Sequence, residues 1–225
     1  MMSTQSKSEQ RADRRKVAKR KDQMRNMLWI GGVALLVAVA LIIPNIDFTP
    51  PVIVDYQMVD DNSIGAADAP VSVVEFGDYQ CSHCRTFSRE YEEDFIQNYV
   101  YTGEVLYTYR TAGDFFPGSA RAGEANYCAG DQQAFWQYKD LLFEDITADF
   151  TDQNLIDKAQ TLELDIDTFR ECLDTNKYAE RVAQDYTDFQ TAGGSGTPSF
   201  LVNGVLAVAG ADYEGLQAAI QAAQP

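Results

Sequence analysis

One histidine, His83, is all that the 225-residue chain contains, and it has only four cysteines. A multi-histidine metal centre is therefore excluded, as is the disulfide-dense framework that lets very small secreted domains manage without a core. Positive charge is also scarce over most of the length. Nine of the 18 Lys and Arg lie in the first 25 residues, which leaves nine against 31 Asp and Glu for the remainder. So acidic a surface repels nucleic acid and anionic lipid, and no nucleic-acid partner is expected. No internal repeat and no low-complexity tract is present.

The basic N-terminus has a different reading. Asn26 to Ile46 carries no charge, and Met27 to Ile43 is almost wholly apolar. At about 1.5 Å per residue that run is about 26 to 32 Å long, enough to cross a hydrocarbon core. The pattern predicts a basic cytoplasmic tail over 1–26, a transmembrane anchor over 27–46 and a spacer over 47–63. Cations before the span hold the N-terminus in the cytoplasm, so everything after Asp47 is expected outside the cell membrane. Ala38-Val-Ala40 has the small-x-small form of a signal-peptide cleavage site. It sits inside the apolar run, however, with Leu41-Ile-Ile43 still to come, so an uncleaved single-pass anchor is the expectation.

Beyond the spacer, Val71–Phe76 and Val105–Tyr109 read as core strands. Between them Phe87, Tyr91, Phe95, Ile96 and Tyr99 recur at helical intervals over Arg85 to Tyr101. The order strand, helix, strand fits a βαβ unit. From about 119 to 191 the pattern is helical, with segments at 120–129, 133–144, 152–162, 165–173 and 176–190. Thr151-Asp152 and Asp174-Thr175 supply capping residues. After Gly193-Gly-Ser-Gly196, Phe200–Val202, Asn203-Gly204 and Val205–Ala209 read as a tight hairpin, followed by a helix from Asp212 or Tyr213 to Gln224.

The chemistry-bearing motif is Cys81-Ser-His-Cys84, at the junction of the first strand and its helix. Two cysteines three apart close a small disulfide ring, and a helix N-terminus stabilises the first sulfur as a thiolate. The same spacing also serves zinc and haem. Here no His follows Cys84, no second CxxC exists, and Cys128 and Cys172 stand far off in sequence, so redox chemistry is the expected use. Glu75 lies in a strand that otherwise reads as buried, where a carboxylate costs several kcal/mol unless neutral, paired or hydrated. The alternative is that it faces solvent at a sheet edge. Cys128 and Cys172 are open to three readings: inert core thiols, a second redox pair, or a structural disulfide. The last is carried forward, and over about 44 residues it would contribute roughly 4 kcal/mol.

These residues resemble a known family, the DsbA-like thiol-disulfide oxidoreductases of the thioredoxin superfamily, and in particular their membrane-anchored extracytoplasmic branch. The resemblance runs from Ile64 to the C-terminus. It rests on Ile64-Gly-Ala-Ala-Asp-Ala-Pro70 leading to Val71–Cys84, on Glu124-Ala-Asn-Tyr-Cys128 with Phe135-Trp136, and on Gly196-Thr-Pro-Ser-Phe200 with Val202-Asn-Gly204. It implies an α/β thioredoxin-like domain over 64–225 with an all-helical insertion, preceded by the transmembrane helix. It implies that Cys81 is the exchanging sulfur, Cys84 the buried resolving sulfur and Glu75 the acid handling its proton. His83 is expected to add a hydrogen bond or charge beside the thiolate. A cis Thr197–Pro198 bond would turn the Thr197 backbone toward Cys81 to pair with substrate. No cofactor is implied. The partners implied are reduced or unfolded proteins and a quinone-linked membrane thiol oxidase that restores the disulfide. Familiar oxidases of the family have Pro where this chain has Ser82, and the residue before the cis proline varies, so the direction of electron flow is less fixed than the reaction type. A thiol reductase or isomerase, a Cu(I) metallochaperone using Cys81, His83 and Cys84, and a permanent CxxC staple are the competing readings.

Overall fold

The computed structural model describes residues 24, 27, 29, 56, 58–60, 62–113, 116–145, 147 and 149–225. The chain divides into two units, Met1–Val52 and Ile53–Pro225. Met24, Met27 and Trp29 apart, the predicted tail and anchor lie outside the described residues. Among the described residues, no helix is long and apolar enough to cross a membrane.

Among its described residues the second unit has six strands: β1 (Met58–Asp60), β2 (Ser63–Ile64), β3 (Val71–Gly77), β4 (Val105–Thr111), β5 (Ser199–Val202) and β6 (Val205–Ala209). They form one sheet in the order β1-β2-β4-β3-β5-β6. Only β3 and β4 are parallel, registered from Val71 opposite Val105 to Gly77 opposite Thr111. Along β4 the even alternation buries Val105, Tyr107, Tyr109 and Thr111 and leaves Leu106, Thr108 and Arg110 half-buried, the period-two signature of a strand with one covered face. The β5–β6 hairpin turns at Asn203 and Gly204, at φ 50° and 79°, the two left-handed positions that suit Asn-Gly.

Two strands were not expected. The predicted spacer over 47–63 contains β1 and the start of β2, and β2 pairs antiparallel with β4. Asn62 fastens this edge, its side-chain amide donating to the Tyr109 carbonyl at 2.8 Å. Both strands are too short to show a readable alternation.

The predicted helix over 85–101 is two pieces. The first, α1 (Ser82–Glu90), begins directly after Cys81, and α2 (Glu92–Phe95) continues into a π-helical turn over Ile96–Val100. The break falls at Tyr91, whose ring stacks on Tyr213 with centroids 5.4 Å apart. It resets the helix face so that Phe87, Glu92, Phe95, Ile96 and Val100 are all buried. Such irregularities have local causes and recur near functional sites.

The helical insertion follows as α3 (Ser119–Gly130), α4 (Phe135–Glu144), α5 (Asp152–Thr161), α6 (Ile166–Asp174) and α7 (Ala179–Thr191). Small residues let α3 approach the sheet closely: a Cβ at Gly123 would stand 2.8 Å from Thr111 Cγ2. The last insertion helix starts at Ala179, not at Asn176 as the pattern predicted. Asn176 adopts φ 50°, which ends α6 and delays α7. After β6, α8 (Tyr213–Ala223) closes the chain, capped by Asp212, which accepts from the Gly215 amide at 2.9 Å.

Cys128 on α3 and Cys172 on α6 are joined in a disulfide across 44 residues, with Cα atoms 5.9 Å apart. In the chain-entropy account this loop constrains the unfolded state by about 4 kcal/mol. The Cys128→Ala/Cys172→Ala variant should therefore lose about that much stability, read as a lower urea midpoint. An unchanged midpoint would show that the bridge contributes nothing to stability.

Candidate active site

Strand β3 delivers Gly77-Asp-Tyr-Gln80 to the start of α1, and this loop fixes the first cysteine. Asp78 does most of the fixing. Its carbonyl accepts from the Cys81 amide at 3.0 Å, and its carboxylate accepts from the Gln80 amide at 2.8 Å and the Ser119 hydroxyl at 2.7 Å. Its own amide donates to Cys84 Sγ at 3.4 Å. Cys81 is extended at φ −72° and ψ 122° and serves as the N-cap position of α1, where the first amides of the helix point at its sulfur.

The two thiols are free, with Cys81 half-buried and Cys84 fully buried. Their surroundings pull them apart. Hydrogen bonding from the Cys84 thiol, then from the Thr197 side chain and the backbone amides of Cys84 and His83, outweighs partial burial and lowers the Cys81 thiol to about 5. Burial first, then the hydrogen bond to Cys81 and the charges of Glu75 and Cys81, push the Cys84 thiol well above its usual range. Cys81 is thereby the sulfur that ionises and exchanges, and Cys84 the one that holds its proton. The His83 side chain is exposed on the first turn, and its backbone amide is the part that acts on the Cys81 sulfur.

Opposite the dithiol, the Thr197–Pro198 bond is cis and the Cys81 thiol donates to the Thr197 carbonyl at 3.2 Å. Proline contributes no N–H there, so that carbonyl faces the sulfur without a competing donor beside it. Phe116, 45% exposed, stands three residues ahead of α3. Gln80 ties its loop to the active-site turn through the Pro117 carbonyl and the Ser119 hydroxyl.

Glu75 is buried at 2% exposure in the central strand, between β4 and β5; the sheet-edge alternative does not apply. Its carboxyl contacts the Tyr107 hydroxyl, which lies 2.8 Å from Glu92 Oε1. Lys139, with no exposed surface, pairs with Glu92 Oε2 at 2.6 Å. Burial, reinforced by Glu92 and opposed by Lys139 and Tyr107, raises the Glu75 carboxyl to about 8.

The sequence reading singled out Glu75 but missed Asp78, Glu92, Tyr107 and Lys139. Two of them did leave a signal. Lys139 interrupts the apolar positions Phe135, Trp136, Leu142 and Phe143, and Glu92 interrupts Phe95, Ile96 and Tyr99. Opposite charges on the buried faces of two helices point to a partner inside the core.

Because Glu75 keeps its proton in the fold to a higher pH than in the unfolded chain, its ionisation favours unfolding, and the cost grows from about pH 4.5 to 8. Glu75→Gln should match the parent in stability near pH 4 and exceed it by on the order of 3 kcal/mol at pH 7. Urea unfolding at both pH values checks this; equal gains at both would mean that ionisation of Glu75 is not the cause.

A family model described as Thioredoxin matches residues 57–222. "Probable disulfide bond formation protein D" of Bacillus cereus is 30% identical over 212 residues, covering 87% of this chain and 96% of that protein. Crystalline oxidised BdbD from Bacillus subtilis superposes with a TM-score of 0.64 at 27% identity, over 75% of this chain and 95% of that one. The Na(+)/H(+) antiporter NhaA 1 of Salinispora arenicola is 36% identical over 168 residues, 72% of this chain, which spans only 24% of the antiporter. With a dithiol at the head of α1, a carbonyl facing it and this match over most of its length, the chain belongs to the thioredoxin family, among its DsbA-like thiol-disulfide oxidoreductases.

Proposed function

We propose that the chain donates disulfides to reduced proteins through the Cys81–Cys84 pair. The observation that carries this is the unequal placement of the two thiols, Cys81 half-buried at the head of α1 and Cys84 fully buried one turn in, which lowers the first to about 5 and raises the second well above its usual range. A stable Cys81 thiolate favours the dithiol over the disulfide, so the disulfide is readily handed on. The substrate thiolate attacks Cys81 Sγ, the ring bond breaks, and its electrons go to Cys84. A second substrate thiol then attacks the mixed disulfide and leaves the substrate oxidised. An extended substrate segment pairs with the Thr197 backbone, and an apolar side chain rests against Phe116. The name disulfide bond formation protein D, borne by relatives, agrees with this direction.

The rest of the proposal concerns location and partners. The uncharged run over 27–46 serves as a single-pass anchor with residues 1–26 in the cytoplasm, and the domain works outside the membrane on secreted or membrane proteins. A quinone-linked membrane thiol oxidase returns the dithiol to the disulfide. The support is the nine cations ahead of an uncharged run, together with the need for a compartment where disulfides persist. The Cys128–Cys172 bridge remains closed through the cycle and serves only the fold.

The test is the reduction potential of Cys81–Cys84 in glutathione buffers. A donor should fall at about −120 to −180 mV, and a value at or below about −270 mV would replace this reading with a reductase. The thiolate also links redox state to pH. Its depressed folded pKa stabilises the dithiol form above that pKa, an advantage lost as pH falls through about 5. Reduced protein should therefore melt above oxidised protein at pH 7, with the gap closing by pH 4. Iodoacetamide should alkylate Cys81 at half its maximal rate near pH 5.

A further inference from the structure

Resting on the thiol-disulfide reading above, we propose that Tyr107, Glu92 and Ser88 form a proton conduit from Glu75, beneath the dithiol, to solvent on the flank of α1. Lys139 is the fixed positive charge that holds Glu92 in line.

The geometry is continuous. The Tyr107 hydroxyl bridges Glu75 Oε2 and Glu92 Oε1. Glu92 Oε2 accepts from Lys139 Nζ at 2.6 Å and from the Ser88 hydroxyl at 3.0 Å. Tyr107 and Glu92 are buried, whereas Ser88 is only half-buried. A phenol has one proton and so cannot donate to two carboxylates at once. One of the two contacts must therefore be made by a carboxyl proton. Glu92 already takes two donors on its other oxygen, which leaves the acid proton on Glu75, in whose field the Cys84 thiol lies.

Charge accounts for the rest. Glu75 is faced by Tyr107 and Tyr109 from β4, Glu92 from α2, Lys139 from α4, and Cys81 and Cys84 from α1. Lys139 is the only cation in that set. It also contacts Asp140 Oδ1 at 3.4 Å, and Asp140 in turn accepts from Tyr56 at 2.7 Å. Burial alone would lower the Lys139 pKa, but the charges of Glu92, Asp140 and Glu75 and the hydrogen bond to Glu92 outweigh it and keep Lys139 protonated, its pKa raised above the ordinary lysine value. It therefore does not pass protons, and the mobile route runs through oxygen atoms toward Ser88.

A side exit has a chemical purpose. While a substrate is bound to Cys81 and lies along Thr197, the mouth of the site is covered. When substrate attack breaks the Cys81–Cys84 bond, Cys84 Sγ takes the electron pair and binds the proton of Glu75. Water delivers a proton to the Glu92 carboxylate through Ser88, Glu92 passes a proton to Tyr107, and Tyr107 gives its own to Glu75, so that the chain ends as it began. When an oxidant such as oxidised glutathione forms a mixed disulfide on Cys81, the chain runs in reverse. The Cys84 proton leaves through Glu75, Cys84 Sγ bonds to Cys81, and glutathione departs as the thiolate.

That second reaction is the test, made on the reduced full chain in detergent micelles with oxidised glutathione, by acid quench and mass analysis from pH 5 to 9. In Tyr107→Phe, attack by Cys81 should stay within about twofold of the parent. Resolution by Cys84 should slow tenfold or more below pH 8, with a larger solvent isotope effect. Ser88→Ala, which leaves the core intact, should slow resolution about threefold, and Ser88→Thr should restore it. Unchanged resolution in Ser88→Ala would overturn the conduit, whatever Tyr107→Phe does. A parent chain that forms the mixed disulfide but never resolves it would sink the thiol-disulfide reading itself, and the conduit with it.

Discussion

A carboxyl group is buried in the middle strand of the sheet, and much of the structure is arranged around that fact. An isolated ionised carboxylate in such a place costs many kcal/mol, and proteins escape by protonation, pairing or hydrogen bonding. Glu75 uses all three. It holds its proton up to about pH 8, shares a hydrogen bond with Tyr107, and lies in the field of Lys139. Each partner comes from a different element: Tyr107 from β4, Glu92 from α2 and Lys139 from α4. The cluster therefore forms only when sheet, active-site helix and insertion are packed together. Buried charge of this kind adds little net stability, since apolar side chains of equal volume would do as well or better. What it provides is a proton held next to a thiol that must gain and lose one.

The two cysteines show how a short helix start separates chemically identical groups. Cys81 stands ahead of the first turn, where amides without helical partners point at its sulfur. Cys84 is one turn in, in apolar surroundings and within the field of Glu75, where a thiolate is penalised. The ring between them is thus unequal before any substrate arrives. Attack is directed to Cys81, and the electron pair is left on the sulfur with a proton source beneath it. Asp78 holds this geometry through contacts to Gln80, Cys81, Cys84 and Ser119.

Much of this was legible in the chain because strands, dithiol and hairpin each carry a local signature. The alternation of Val105 to Thr111, the CxxC at a strand-to-helix junction and Asn203-Gly204 all state their conformation within a few residues. The edge strands β1 and β2 do not, since two or three residues are too few to show an alternation and Asp60 to Ser63 reads as loop. The break at Tyr91 was equally silent, and the ring that stacks on Tyr91 belongs to Tyr213, 122 positions away in sequence but 5.4 Å away in space. The proton-handling partners fall between these cases. Lys139 and Glu92 were visible as charges on apolar helical faces, but their pairing depends on how the insertion docks, and sequence spacing does not encode that.

The position of Lys139 changes how the insertion is understood. A helical segment placed between β4 and β5 can be regarded as a lid added to a self-sufficient sheet. Yet α4 supplies the only cation among the groups facing Glu75, and it buries that cation against the rings of Tyr109, Trp136 and Phe143 at 5.4 to 5.5 Å. Without it, two carboxylates would face one phenol in the core, and the sheet would have to protonate both or expel one. A carboxyl that never ionises cannot accept the Cys84 proton, and one that is expelled cannot reach it. The insertion is therefore part of the redox centre, and a sheet of this sequence that lacked α4 would keep its dithiol but lose the acid that serves it.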